Sequence, residues 1–419
     1  MTATAPRSAS VDAAPQPART APLALMLGAF VALGPLTIDM YLPALPDIRR
    51  ELATSSATVQ LTLTGTLAGL ALGQLVIGPL SDAFGRRRPL LAGAALHVLA
   101  SLLVLVAPDV ATLGALRTLQ GVGCAAASVV AIAIVRDLYA GRAAATMLSR
   151  LFLVMGVAPV LAPTVGGEVL RFTSWRGVFA ILAGYGIAVL AVGALALRET
   201  LPTGRRRSGG VRGTLRTYRM LLRDRIYVGL IISSGLTMAA LFAYVSGSSF
   251  VYQREFGLDE QQFGLLFGAG AVWLIAATQL NPVLLRWFSP ARILVTATVC
   301  GTLAGAGLLV LAGADLGGLL GVAVPLWLVL FATGLALPNG PALALSGYGD
   351  SAGSAAALLG AVQFGVGAAV SPLVGVLSND ALAMGVAIVG SLALAVGVLL
   401  AVRPWRLPEP QDDVLPAGH

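Results

Sequence analysis

The sequence predicts an all-α membrane protein, with twelve transmembrane helices in two six-helix bundles. Three observations carry that expectation. Of 419 residues, 57% are hydrophobic and only 11% are charged, whereas a soluble domain carries about 25% charged residues. Apolar runs of about 20 residues, enough to cross a hydrocarbon core, recur along the whole chain. The longest polar connector, RETLPTGRRRSGGVRGTLRTYRMLLRDR, divides those runs into two sets of six.

Composition narrows the function classes. A mean hydropathy of +0.87 excludes an ordinary soluble globule. The 50 glycines follow no collagen-like period and suit closely packed membrane helices. The net charge of +8 comes with 27 basic residues, all of them Arg. They follow topology rather than an aromatic-rich surface, which argues against nucleic acid. Cys124 and Cys300 each sit in an apolar run and read as small packing residues, without disulfide or metal-ligand spacing. Residues 1–21 are polar and rich in Ala and Pro. No cleavage pattern follows the first apolar run, so a disordered cytoplasmic tail is expected there.

The runs fall near 22–42, 57–80, 89–107, 110–134, 147–170, 177–197, 226–250, 262–285, 292–312, 319–343, 354–377 and 381–402. They define an N-terminal bundle at 22–197, a basic cytoplasmic linker at 198–225, a C-terminal bundle at 226–402 and a cytoplasmic tail at 403–419. With the N-terminus inside, the inner segments hold 21 Arg and the outer segments five. Cytoplasmic loops favour positive charge, so both termini are expected in the cytoplasm. The linker's arginines suit an anionic inner leaflet, and the six-plus-six division suits two bundles around a central cavity.

Charges inside a span are costly and mark function by default. Asp39, in GPLTIDMYLPALPDI, lies toward the outer end of the first run, and Arg117, in LRTLQGVG, lies in the outer part of the fourth. Those runs cross in opposite directions, so the two residues fall at similar depth and are placed to share a cavity and pair. Asp39 reads as a helix-end carboxylate or as a proton switch. Arg117 reads as a snorkelling anchor or as the partner of that switch. Burial favours a neutral carboxyl and a nearby guanidinium favours a charged one. A motion that changes either influence would therefore move a proton. His97 suits packing or a proton relay, and Glu168 suits a helix end. Gln279, Asn281 and Gln363 suit cavity lining or interhelical hydrogen bonds.

Four stretches resemble one family. GPLSDAFGRRRP, Gly78 to Pro89, is similar to the loop signature of the major facilitator superfamily, with Gly78, Leu80, Asp82, Gly85, Arg86 and Arg87 in place. Arg117, Gln120, Gly121 and Gly123 resemble its fourth-span motif, which implies a proton-coupling role for Arg117. GVAPVLAPTVGGEVL resembles its fifth-span antiporter motif through Pro163, Gly166 and Gly167, with Ala162 where Gly is usual. In that family the motif marks drug/proton antiporters and bends span five against span eight. TIDMYLPALPDI, with Asp39, Tyr41, Pro43 and Pro46, looks like the first-span signature of the bicyclomycin/chloramphenicol (Bcr/CflA) efflux group. The specific residues end near position 180, and NPVLLRWFSPAR in the second half is a degraded copy of the loop signature.

The resemblance implies a monomeric, proton-driven drug efflux protein of the bacterial cytoplasmic membrane. Asp39 would carry the proton and Arg117 would tune it. Tyr41, Gln120 and Gln363 would line a cavity for a lipophilic drug. Membrane lipid and protons are the other expected partners, with no cofactor and no metal. Solute uptake or metabolite export on the same fold is the alternative. An enzyme would need a cluster of nucleophilic, acid/base or metal residues, and two His and two apolar-context Cys supply none. The absence of G-x-x-x-x-G-K-[ST] argues against direct use of ATP.

Overall fold

The computed structural model describes residues 20–206, 210–348 and 351–406, and these contain helices and no strand. The first six spans begin with α1 (Thr20–Asp39), continued past a break by α2 (Leu45–Glu51). They proceed through α3 (Ser56–Phe84), α4 (Arg87–Val104), α5 (Val110–Leu138), α6 (Gly141–Leu170) and α7 (Trp175–Ala196). The linker holds α8 (Gly210–Leu221). The second six spans are α9 (Arg225–Phe250), α10 (Glu260–Leu284), α11 (Pro290–Gly313) and α12 (Gly318–Leu345), then α13 (Ala352–Val370) with α14 (Leu373–Leu377), and α15 (Ala381–Val402). Among the described residues, twelve helical segments are long and apolar enough to cross a membrane. The expected tails at 1–21 and 403–419 lie almost wholly outside the described residues.

Short polar side chains start these helices, because first-turn N–H groups need acceptors. Ser55 caps α3 through Thr58 N at 3.1 Å, and Asp109 caps α5 through Thr112 N at 2.8 Å. Asp224, Ser289 and Asp380 do the same for α9, α11 and α15, and Asp259 with Gln262 forms a reciprocal capping box on α10. Three helices outrun the apolar runs: α3 reaches Phe84, α5 reaches Leu138 and α6 begins at Gly141. Hydropathy marks the hydrocarbon-facing length, and these ends continue beyond it with polar residues such as Asp82, Arg136 and Asp137.

In the first bundle α5 packs against α3 and α4, while α1 packs against α5 and α6. In the second, α9 packs against α12, α13 and α15. The bundles meet along α3–α13 and α6–α10. The start of α1 and the linker helix α8 define one face of the molecule, called here the linker face. At the opposite, distal face the bundles are stitched by hydrogen bonds. Ser249 Oγ donates to Leu42 O at 2.7 Å, and Gln253 Nε2 donates to Pro43 O at 3.1 Å. Gln60 Nε2 donates to Ser246 O at 3.1 Å and to Asn379 Oδ1 at 2.8 Å. At the linker face, Tyr218 of α8 donates to Leu75 O of α3 at 3.2 Å.

Candidate functional site

The site grows from the break in α1. The chain turns at Met40 and Tyr41, makes a 3-10 turn at Leu42–Ala44 and re-enters a helix at Leu45. Pro43 and Pro46 lack the N–H groups a continuous helix would use. The break leaves Asp39 as the last residue of α1, 4% exposed, at the level where the Leu42–Ala44 turn meets α9 and α10. No hydrogen-bond donor reaches the Asp39 carboxylate among the described residues.

Arg117 lies nearby on α5 with no exposed surface. Its guanidinium sits over the Tyr41 ring, 4.0 Å from the centroid, and 5.6 Å from that of Phe179. One arm donates to Gln120 Oε1 at 3.0 Å, whereas Nε and Nη2 have no partner. Polar contacts continue inward: Gln120 Nε2 donates to Ser101 Oγ at 2.7 Å, and Ser101 Oγ donates to His97 O at 2.7 Å. His97 Nε2 and Thr37 Oγ1 are 2.8 Å apart, and Cys124 lies against the same hydroxyl.

These placements correct part of the expected site. Asp39 and Arg117 share a region but form no ion pair, and the guanidinium lies over the Tyr41 ring. Tyr41 and Gln120 have no exposed surface, so they sit within the first bundle rather than on an open cavity wall. Gln363 is half-buried on α13, away from this network. Asn281 accepts from Asn339 Nδ2 at 2.6 Å and joins α10 to α12, while Gln279 is exposed. Glu168 pairs with Arg171 at 3.1 Å on the surface, a helix-end arrangement. Cys124 is packed as expected, whereas Cys300 is exposed on α11.

The loop motif forms a latch at the linker face. Gly85 ends α3 at φ +92°, a conformation that favours glycine. The following Arg86 bridges Asp82 at 2.5 Å and Asp137 of α5 at 2.8 Å. Burial opposes its positive charge, and hydrogen bonds to Asp137 and Asp82 more than offset that, so its pKa stands above the usual value. Glu199, beyond α7, accepts from the N–H groups of Arg86 at 2.8 Å and Arg87 at 3.2 Å. Arg87 donates back to Leu197 O and Ala194 O. Gly78 lies on α3 with open space around its Cα. Asp137 and Glu199 were not singled out in the sequence; an acid at each helix end facing three arginines was the available signal.

The fifth-span motif is a close-approach surface. A Cβ on Gly166 would collide with Met40 O, beside Asp39, and one on Gly167 would lie 2.5 Å from Glu260 O of α10. Thr164 Oγ1 donates to Gly264 O at 3.2 Å across the same seam, and the carbonyl of Pro163, inside α6, lies 3.0 Å from the Cβ position of Gly264.

Residues 25–372 match the Major Facilitator Superfamily. The chain belongs to this superfamily. It is 38% identical to the uncharacterized MFS-type transporter YdgK of Bacillus subtilis, across 88% of this chain and 94% of the relative. It is 31% identical to a bicyclomycin resistance protein homolog of Haemophilus influenzae, across 85% and 89%. It is 32% identical to a chloramphenicol resistance protein of Pseudomonas aeruginosa, across 81% of each chain. Its fold is similar to a solved bacterial homolog of the human lysosomal transporter Spinster in an inward-facing, unoccupied conformation. That match has a TM-score of 0.70 at 14% identity and covers 92% and 96% of the two chains. The superfamily chain is thus a multi-pass membrane transporter and not an enzyme, and it stands among drug-resistance relatives.

Proposed function

We propose that this transporter exports lipophilic drugs across the bacterial cytoplasmic membrane in exchange for protons, with the linker face and both termini in the cytoplasm. The observation that carries the coupling is the Asp39 carboxylate. It is buried at a helix break, accepts no hydrogen bond, and lies near a guanidinium it does not touch. A buried carboxyl without a partner is stable only when neutral, and one that reaches a guanidinium is stable when charged. Movement of Asp39 relative to Arg117 therefore changes its proton occupancy. Asp39 also adjoins the seam between the bundles, because Met40 O lies against Gly166 and the next turn meets α9 and α10. Rocking of the bundles would change what α9 and α10 place against this turn, and with it the burial of the Asp39 carboxyl beside Arg117.

Arginine placement supports the orientation. With that orientation the distal seam is the outer seal, and the molecule is closed to the outside. The close α6–α10 packing and the resistance relatives support export over uptake. Chloramphenicol, florfenicol and bicyclomycin are the first drugs to try. The test uses everted vesicles: an imposed proton gradient is expected to drive chloramphenicol accumulation. Asp39→Asn is expected to abolish it while the protein still inserts. Unchanged accumulation by a correctly inserted variant removes Asp39 from the mechanism, and movement in the opposite direction favours uptake.

A further inference from the structure

The second bundle holds an aromatic cluster that the proposed coupling does not use. Tyr244 of α9 stacks on Phe267 of α10, with centroids 5.1 Å apart and planes 18° apart. Phe267 contacts Phe263 at 5.7 Å, and Phe263 contacts Tyr252 at 6.3 Å. The hydroxyls of Tyr244 and Tyr252 are buried without a hydrogen-bond partner, and so is Trp327 Nε1 of α12. Tyr244 is 2% exposed and Tyr252 is 0% exposed. Two of these groups lie near one point, beside Leu330. The Cβ position of Gly270 lies 2.9 Å from Tyr244 Oη, 2.9 Å from Leu330 Cδ1 and 3.5 Å from Trp327 Cδ1, the carbon bonded to the indole nitrogen. Tyr244 also lies within electrostatic reach of Asp39 in the first bundle.

An unpaired buried donor is costly. Three in one aromatic cluster are poor packing for a structural core and good packing for a site awaiting acceptors. An indole N–H only donates, and a phenol donates readily. The Tyr244–Phe267 pair offers an aromatic ring to pack against. No cationic side chain belongs to the cluster.

We propose that this cluster is a donor-lined aromatic box that takes an uncharged, planar, acceptor-bearing portion of the substrate, such as a nitroaryl or aryl carbonyl group. Tyr244 Oη and Trp327 Nε1 donate to its oxygens, with Tyr252 Oη at the distal end. The proposal rests on the drug-export reading and adds a substrate class to it.

The test measures binding of radiolabelled chloramphenicol, a nitroaryl amide, to the purified full chain in lipid nanodiscs. Ethidium, a planar cation without oxygen acceptors, is measured in parallel. Tyr244→Phe and Trp327→Phe keep the aromatic packing and remove one donor each. Each is expected to weaken chloramphenicol binding about tenfold and to leave ethidium binding within about twofold. Unchanged chloramphenicol binding in both variants overturns the box, as does an equal loss of both ligands, which would show a packing role. Proton-driven export by a wild-type chain whose variants bind normally overturns the box alone. A wild-type chain that neither binds nor moves either compound overturns the export reading as well.

Discussion

Arg117 is the residue whose surroundings most constrain the mechanism. A fully buried guanidinium is held here by the Tyr41 and Phe179 rings and one bond to Gln120, with no ion pair to a carboxylate. A desolvated cation–π contact is worth about 2 kcal/mol. Tyr41→Leu is therefore expected to lower unfolding stability in detergent by about 2 kcal/mol. Tyr41→Phe should change it by much less, because the ring stays and the hydroxyl's contact with Thr62 is long, at 3.4 Å. Equal losses in a chemical-denaturation series would assign the stabilisation to the hydroxyl instead. The closeness of Asp39 and Arg117 was legible in the sequence, because two spans running in opposite directions place them at one depth. The missing ion pair was not. It depends on side-chain placement at the break right after Asp39, which span depth alone does not set.

At the scale of elements, the latch between α3, α4, α5 and α7 joins residues far apart in sequence. Asp137 lies 51 positions from Arg86, and Glu199 lies 113 away. The loop motif could be read locally, but its partners follow only from how the helices pack. Glu199 acts as a cap for the start of α4. Partial burial raises its pKa, and N–H donors from Leu201, Arg86, Arg87 and Thr200 more than offset that, leaving it below the ordinary value of 4.5. A carboxyl depressed on folding contributes stability that is present above its unfolded pKa and lost as pH falls through its folded pKa. Wild-type thermal stability is thus expected to drop as pH falls below about 4.5. Glu199→Gln should cost about 1 kcal/mol at neutral pH, as lost caps do, and should flatten part of that acid-induced drop. Parallel melting curves for the two proteins between neutral and acid pH would refute this role. The linker helix α8 escaped a reading based on charge, since its arginines hid the turn that sets Leu221 in the core and Tyr218 against α3.

For the whole molecule, the fold class and all twelve spans could be read from hydropathy alone, since lipid demands long apolar helices. The state of the molecule could not, because it lies in side-chain bonds between halves that hydropathy treats alike. Gln60 on α3 and Asn379 beyond α14 form one such bond, and Asn379 takes a left-handed φ of +61° there. Alternating access requires this seam to part in each cycle. Linking it covalently should therefore stop transport without unfolding the protein. Exposed Cys300 would first be changed to Ser, leaving Cys124, which is buried. Gln60→Cys with Asn379→Cys, joined by a short reducible bis-thiol linker, is expected to abolish proton-driven drug accumulation in everted vesicles. Reductant should restore it, and either single cysteine treated alone should transport normally. Reagent access from the linker face should persist in the locked protein, because the opposite end is the one being held. Transport that continues at full rate through fully cross-linked protein would mean that the distal seam is not a moving gate.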